Sequence, residues 1–89
     1  MYTTPEDFDS LVRALEKMKP SAVLSPAEQA HFTELSMEDL WRRYWEAWTM
    51  TCRRSITRLM RLRESMTDPA LIRALDQAVE RITALASSI

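Results

Sequence analysis

The longest hydrophobic pattern in the chain covers residues 37–66, a stretch without glycine or proline. Apolar positions recur there at alternating spacings of four and three residues, which is the heptad repeat of a helix that buries one face. Only Ser55 is polar in this seam, which consists of Trp41, Trp45, Trp48, Cys52, Ser55, Leu59, Leu62 and Met66. The pattern predicts one long helix over 37–66.

A second apolar seam follows the long helix after a helix-starting signal. The sequence TDP at 67–69 offers capping side chains and a proline suited to the first helical position. The same alternating spacing then continues through Ile72, Leu75, Val79, Ile82, Ala86 and Ile89. Two seams joined by a tight turn predict a long antiparallel helical hairpin, with helices over 37–66 and 69–87.

Two shorter helices are predicted before the hairpin. The first follows TPED at 4–7, a cap followed by a proline and an acid, and it should cover 5–18 and stop at Pro20. The second follows SPAE at 25–28 and should cover 26–35. We therefore expect these two helices to brace the hairpin.

The fold class that follows is a small all-α helical bundle, formed by a single domain over 1–89. No alternating apolar and polar run and no Asn-Gly or Asp-Gly turn indicates a strand. The sequence does not decide how the helix over 26–35 connects to the long helix. A further capping pattern at 36–39, with Leu35 and Leu40 placed as a hydrophobic staple across it, is compatible with either a bend or one continuous helix.

The composition argues against catalysis. The chain has no glycine, and phosphate-binding loops need glycine where the backbone approaches the ligand. The single cysteine, Cys52, lies in the apolar seam, where burial should raise the pKa of its thiol, and His31 is the only histidine. A metal site needs three or four ligands. We expect no enzyme activity, no cofactor and no metal.

The expected setting is the cytoplasm. A lone cysteine cannot form a disulfide within the chain, and the first residues, MYTTPEDFD, are acidic where a secretory signal is basic and then apolar. No run approaches the roughly 18 apolar residues that a membrane-spanning helix needs. The sequence indicates no membrane partner.

Three tryptophans and a tyrosine lie within LWRRYWEAW at 40–48. At about 1.5 Å per residue the long helix should measure about 45 Å and its partner about 30 Å, so the shorter arm should end near Trp48. We expect Trp45 and Trp48 to be interior. The burial of Trp41 should depend on a neighbour, either the helix over 5–18 or a second copy of the chain.

Arginine is concentrated on the long helix, which carries seven arginines and four acids, while the rest of the chain has a formal charge of −4. Arg53, Arg54 and Arg58 have no acid at the spacing that favours helical ion pairs. They are interpreted as a solvated outer face, as a surface for an acidic protein or as a site for nucleic acid. The sequence isoelectric point of about 5.8 disfavours nucleic acid.

The function predicted from these observations is non-enzymatic binding of another protein, by a monomer or a homodimer. Helical adaptors, chaperones and inhibitors encoded by phages or plasmids are broadly of this kind, although no motif ties the chain to one family. A nucleic-acid-binding regulatory protein that uses the arginines is the alternative. The candidate partner-binding residues are Trp41, Arg42, Tyr44, Trp45, Arg53, Arg54 and Arg58.

Overall fold

The computed structural model describes residues 4–87, apart from the side chain of Phe32. Within that range the chain forms five helices and no strand: α1 (Pro5–Met18), α2 (Pro20–Val23), α3 (Pro26–Glu34), α4 (Glu38–Glu64) and α5 (Pro69–Ser87). Helices α4 and α5 pack together as the predicted hairpin. The prediction of a small all-α bundle is confirmed.

Side-chain caps explain why two of the short helices begin where they do. The Thr4 backbone N–H donates to Oδ2 of Asp7 at 2.9 Å before α1. Before α3, the Ser25 N–H donates to Oε1 of Glu28 at 3.1 Å, and the Glu28 N–H donates to Oγ of Ser25 at 3.2 Å. These bonds satisfy N–H groups that have no partner inside the helix. Both starts are confirmed.

The number of short helices was predicted wrongly. Pro20 was expected to end the first helix, with no further helix before the one at 26–35. In the structure Pro20 is the first residue of α2, a single turn that ends at Val23. Proline suits this position because its missing N–H is not needed in the first turn. Three short helices, rather than two, therefore precede the hairpin.

The chain breaks between α3 and α4, which answers the question of continuity. Ser36 has φ 55, in the left-handed region, and α4 begins at Glu38 with Met37 as its cap residue. The expected cap at Ser36 is therefore wrong. Leu35 and Leu40, expected to form a hydrophobic staple, are 55% and 54% exposed.

We expect Ser36→Gly to raise the free energy of unfolding by up to about 1 kcal/mol. A side chain in the left-handed region costs roughly 1–2 kcal/mol, and the greater freedom of glycine in the unfolded chain offsets part of the gain. Ser65→Gly is the matched control, because Ser65 ends α4 with φ −99 and gains nothing from glycine. Urea denaturation measures both, and midpoints that shift in the same direction would contradict the expectation.

The core lies where α5 packs against both α1 and α4. Its buried apolar residues are Phe8, Val12, Leu15, Trp48, Cys52, Leu59, Leu75, Ala78 and Ile82. The seam prediction is confirmed at five of these positions, Trp48, Cys52, Leu59, Leu75 and Ile82. The burial of Ala78 was not predicted. It arises because α5 packs between two helices and therefore buries a second apolar stripe besides its seam. Ile89, also predicted for the seam, lies outside the described residues.

The two arms of the hairpin differ in length, and this difference positions the candidate site. Helix α4 has 27 residues and α5 has 19, which correspond to about 40 and 28 Å. The molecule is accordingly elongated, with extents of 52 × 21 × 18 Å. The amino-terminal part of α4 extends past α5, where α2, α3 and the carboxyl end of α1 lie against it. We call residues 38–48 of α4 the aromatic end.

Arg81 of α5 joins two acids of α1. Its guanidinium lies 2.8 Å from Oδ1 of Asp9 and 3.5 Å from Oε1 of Glu16. The hydrogen bond from Arg81 lowers the pKa of Asp9, the charge of Arg13 adds to this effect, and desolvation opposes it. These ion pairs link α1 to α5 at the surface, beside the buried apolar contact between the two helices.

Acid should weaken this contact between α1 and α5. Because the pKa of Asp9 is lower in the folded state, its stabilisation is complete above the ordinary carboxyl pKa of 3.8 and is lost as the pH falls through the folded value. Asp9→Asn has no carboxyl group to protonate at this position. We therefore expect its free energy of unfolding to fall less than that of the wild type when the pH drops below the ordinary carboxyl pKa. Arg81→Gln should have the same effect, since it removes the same hydrogen bond. An acid limb as steep as that of the wild type in both variants would contradict the assignment.

Candidate protein interface on the long helix

Two side chains of the aromatic end hold the carboxyl end of α1. Trp48 is 3% exposed, and its Nε1–H donates to the carbonyl oxygen of Leu15 at 3.0 Å. The hydroxyl of Tyr44 donates to the carbonyl oxygen of Met18 at 2.8 Å. The last carbonyls of a helix have no partner within it, so these bonds complete α1. Trp48 is structural, and the Tyr44 hydroxyl is already used inside the molecule.

The four aromatic rings form one continuous chain of contacts. Tyr44 and Trp41 stack with 5.7 Å between ring centroids and 5° between planes. Trp41 meets Trp45 edge to face at 6.5 Å, and Trp45 meets Trp48 in the same way at 5.9 Å. Such geometry suits the quadrupoles of aromatic rings and holds each ring in place.

The burial of these rings was predicted in part. Trp48 is interior as expected, but the prediction for Trp45 is wrong, since Trp45 is only half-buried, as is Trp41. The physical reason is where the neighbouring helices end. Helix α1 stops at Met18, beside Tyr44, and its buried residues belong to the core around α5. Helix α1, one of the two neighbours considered for the burial of Trp41, therefore covers α4 only as far as Trp48 and Tyr44.

An apolar groove remains open on one side of the aromatic end. It has a volume of about 310 Å³, no charged residue lines it, and its walls are Val23, Leu24, Leu40, Trp41 and Tyr44. We call these five residues the apolar groove. Val23, Leu40 and Tyr44 are all exposed, so the groove is accessible to a partner. A smaller depression of about 110 Å³ continues from it and is lined by Met18, Tyr44, Ala47, Trp48 and Thr51.

A different side of α4 carries Arg42 and Arg53. Arg42, Trp45 and Arg53 line a second groove of about 350 Å³ together with Glu46, Thr49 and Met50. A third depression, of about 330 Å³, follows it along the helix and is lined by Met50, Arg53, Arg54, Thr57, Arg58 and Arg61. The predicted site residues are therefore not gathered in one place. Trp41 and Tyr44 face one groove, while Trp45 and Arg42 face another.

The arginines differ in their partners. Arg63 makes a two-point contact with Asp76, at 2.9 and 3.4 Å, and Arg42 lies 3.5 Å from Asp39. Arg53, Arg54 and Arg58 have no carboxylate within 4 Å among residues 4–87, as their sequence spacing predicted. Their charge is available to a ligand.

Sequence reasoning missed part of the apolar groove. Val23 and Leu24 lie between the two predicted short helices, and the apolar run AVL at 22–24 between two prolines is the signal that could have indicated them. Met50 and Met60, 45% and 47% exposed, were missed as well. Exposed methionines are adaptable contact residues. Met50 lines the second groove and the third depression and so extends the surface there, whereas Met60 lines none of these grooves.

The two residues considered for catalysis or metal binding lie apart from these grooves. Cys52 is fully buried, and burial raises the pKa of its thiol, against a smaller opposing effect of the Lys19 charge. This direction was expected. His31 is exposed, with Nδ1 at 3.5 Å from Oε2 of Glu34. In the described part of the chain, no three or more histidine, cysteine, aspartate or glutamate side chains gather as a metal site would require.

Among the described helices, none combines the length and the apolar character needed to cross a membrane. Comparison of the chain with protein-family models, with curated proteins and with solved structures finds no match.

Proposed function

We propose that this chain is a small non-enzymatic protein–protein interaction module, acting in the cytoplasm as an adaptor, a chaperone-like protein or an inhibitor. Its partner binds the aromatic end of α4. The observation that carries this proposal is the apolar groove, which stays accessible because α4 extends past α5. Tryptophan, tyrosine and arginine dominate the binding energy of protein interfaces, and all three are present on this part of α4.

The groove is prepared for binding before a partner arrives. The Tyr44 ring is fixed at one end by its hydrogen bond to Met18 and along its face by stacking on Trp41. Rings that are already ordered lose little conformational freedom on association, which favours affinity. Leu40 supplies the accessible aliphatic contact beside them. This combination supports a role in recognition rather than in the core.

A capture experiment with matched variants tests the proposal. Tagged wild type, Leu40→Asp and Met60→Asp are incubated with a lysate of the native host, and captured proteins are identified by mass spectrometry. Both sites are about half-exposed, at 54% and 47%, so neither change should unfold the chain. We expect at least one protein, then purified and titrated, to bind wild type and Met60→Asp but not Leu40→Asp. Identical capture by all three would contradict the proposal.

Sedimentation separates a second copy from a different partner. Wild type and Trp41→Ala are compared over a hundredfold concentration range. If a second copy or another protein occupies the groove, Trp41→Ala should weaken that association by about 2 kcal/mol or more, as loss of an interface anchor would. The substitution should leave most of the fold intact. A strict monomer for both proteins, with unchanged binding of the captured partner, would reduce the cluster to a structural role.

The second candidate function is binding of nucleic acid. The observation that favours it is the depression lined by Arg53, Arg54, Arg58 and Arg61. If duplex DNA binds there, the logarithm of the affinity should fall against that of the salt concentration with a slope of about −0.9 for each phosphate neutralised. Arg54→Glu should abolish such binding. We expect only non-specific binding at physiological salt.

A further inference from the structure

One exposed row of side chains follows α4 next to its buried seam. Its members are spaced alternately four and three residues apart, which keeps them on one face of the helix. Each of them precedes a seam position by one residue, and all are exposed in the structure. We call this set the exposed row: Leu40, Tyr44, Ala47, Thr51, Arg54 and Arg58.

The exposed row changes its chemistry halfway along. Leu40 and Tyr44 belong to the apolar groove, and Ala47 and Thr51 line the smaller depression that continues from it. The row ends in two arginines of the third depression. At about 1.5 Å per residue, the basic part begins about 15 Å from Tyr44, and the whole row spans about 27 Å. Along the row, an apolar surface therefore gives way, after Thr51, to a basic one.

We propose that the partner presents an acidic amphipathic segment, whose apolar side chains occupy the apolar groove while its carboxylates pair with Arg54 and Arg58. This inference rests on the proposed function and names the chemistry of the partner. The span of the row equals that of a helix of about 18 residues, so one helical segment covers both parts.

Charge complementarity supports an acidic occupant. No acidic residue belongs to the row, and none lines the two depressions and the groove along it. Arg54 and Arg58 have no carboxylate partner within 4 Å among residues 4–87. The planar guanidinium of arginine pairs with carboxylates through two parallel hydrogen bonds. Acids placed on the partner would supply the missing half of these pairs.

The other occupants fit the row less well. Nucleic acid would use the arginines but has no counterpart for Leu40 in a groove without a charged wall. A second copy docked through the same row is not complementary in either direction. In parallel it sets arginine against arginine, and in antiparallel it sets arginine against Leu40 and Tyr44. A different protein with an acidic and an apolar part satisfies both halves.

Selection from a displayed library of random 18-residue peptides tests this proposal. The targets are the wild type and the double variant Arg54→Glu/Arg58→Glu, whose sites are exposed, with circular dichroism confirming that both are folded. We expect peptides enriched on the wild type to carry two or more large apolar residues and an excess of acids. The double variant should enrich peptides with similar apolar residues and an excess of Lys and Arg.

Binding of the best synthetic peptide locates its contacts. We expect Leu40→Ala and Arg58→Gln each to weaken it about tenfold, while Met60→Ala and Arg73→Gln, exposed controls outside the row, leave it unchanged. Peptides that depend on Leu40 but show no acidic excess would overturn this inference and leave the proposed function standing. Peptides independent of Leu40, or no enrichment at all, would overturn both. A duplex DNA or RNA that binds more tightly than the peptide at 150 mM salt would overturn the choice of partner.

Discussion

Leu59→Ala and Leu75→Ala should each lower the free energy of unfolding by about 2–5 kcal/mol, the range for removing a leucine side chain from a closed core. Leu59 is 1% exposed on α4, and Leu75 is fully buried on α5. The cost combines the lost apolar burial with the cavity that the neighbours cannot fill.

Equilibrium denaturation in urea measures this effect. Met60→Ala is the control, because Met60 adjoins Leu59 in sequence but is about half-exposed, and its loss should change stability by about 0.5 kcal/mol or less. If Leu59→Ala behaves like Met60→Ala, the register of α4 against α5 is not the one described.

Trp48→Ala should have an effect of similar size, about 3–5 kcal/mol. The indole is buried in the core and also donates to the carbonyl oxygen of Leu15, so its removal weakens both the hairpin and the attachment of α1. The same denaturation experiment measures the loss.

Trp48→Phe removes the hydrogen bond and retains part of the packing. Phenylalanine keeps an aromatic ring but leaves the Leu15 carbonyl without its donor, which should cost about 1–3 kcal/mol. Tyr44→Phe is the matched control, since it removes the exposed bond to Met18 and should cost about 0.5–1.5 kcal/mol. A Trp48→Phe protein as stable as the wild type would show that the bond does not hold α1.

Much of the fold could be predicted because its longest helices repeat their pattern many times. The seam of α4 passes through more than three heptads, and prolines with capping side chains mark the starts of α1, α3 and α5. Helix α2 could not be predicted in this way, since four residues are too few to show a period. The left-handed turn at Ser36 escaped prediction because glycine, its usual marker, is missing from the whole chain.

The candidate site was predictable only as a set of residue types. Helical spacing places Tyr44 and Trp45 on neighbouring faces of α4, but which face stays accessible depends on where α1 and α5 end. That end point is a property of packing between helices far apart in sequence. The half-burial of Trp45 and the participation of Val23 in the apolar groove therefore emerged only from the structure.

The contact between the tryptophan rings also decides what optical spectroscopy of this protein reports. All three indoles lie within eight residues of α4, with centroids 6.5 and 5.9 Å apart along the chain of contacts. Intrinsic fluorescence is thus a local signal from one end of the molecule, whereas far-ultraviolet circular dichroism sums over every helix. When the two melting curves of one sample separate, their difference measures how readily this end opens while the rest stays folded.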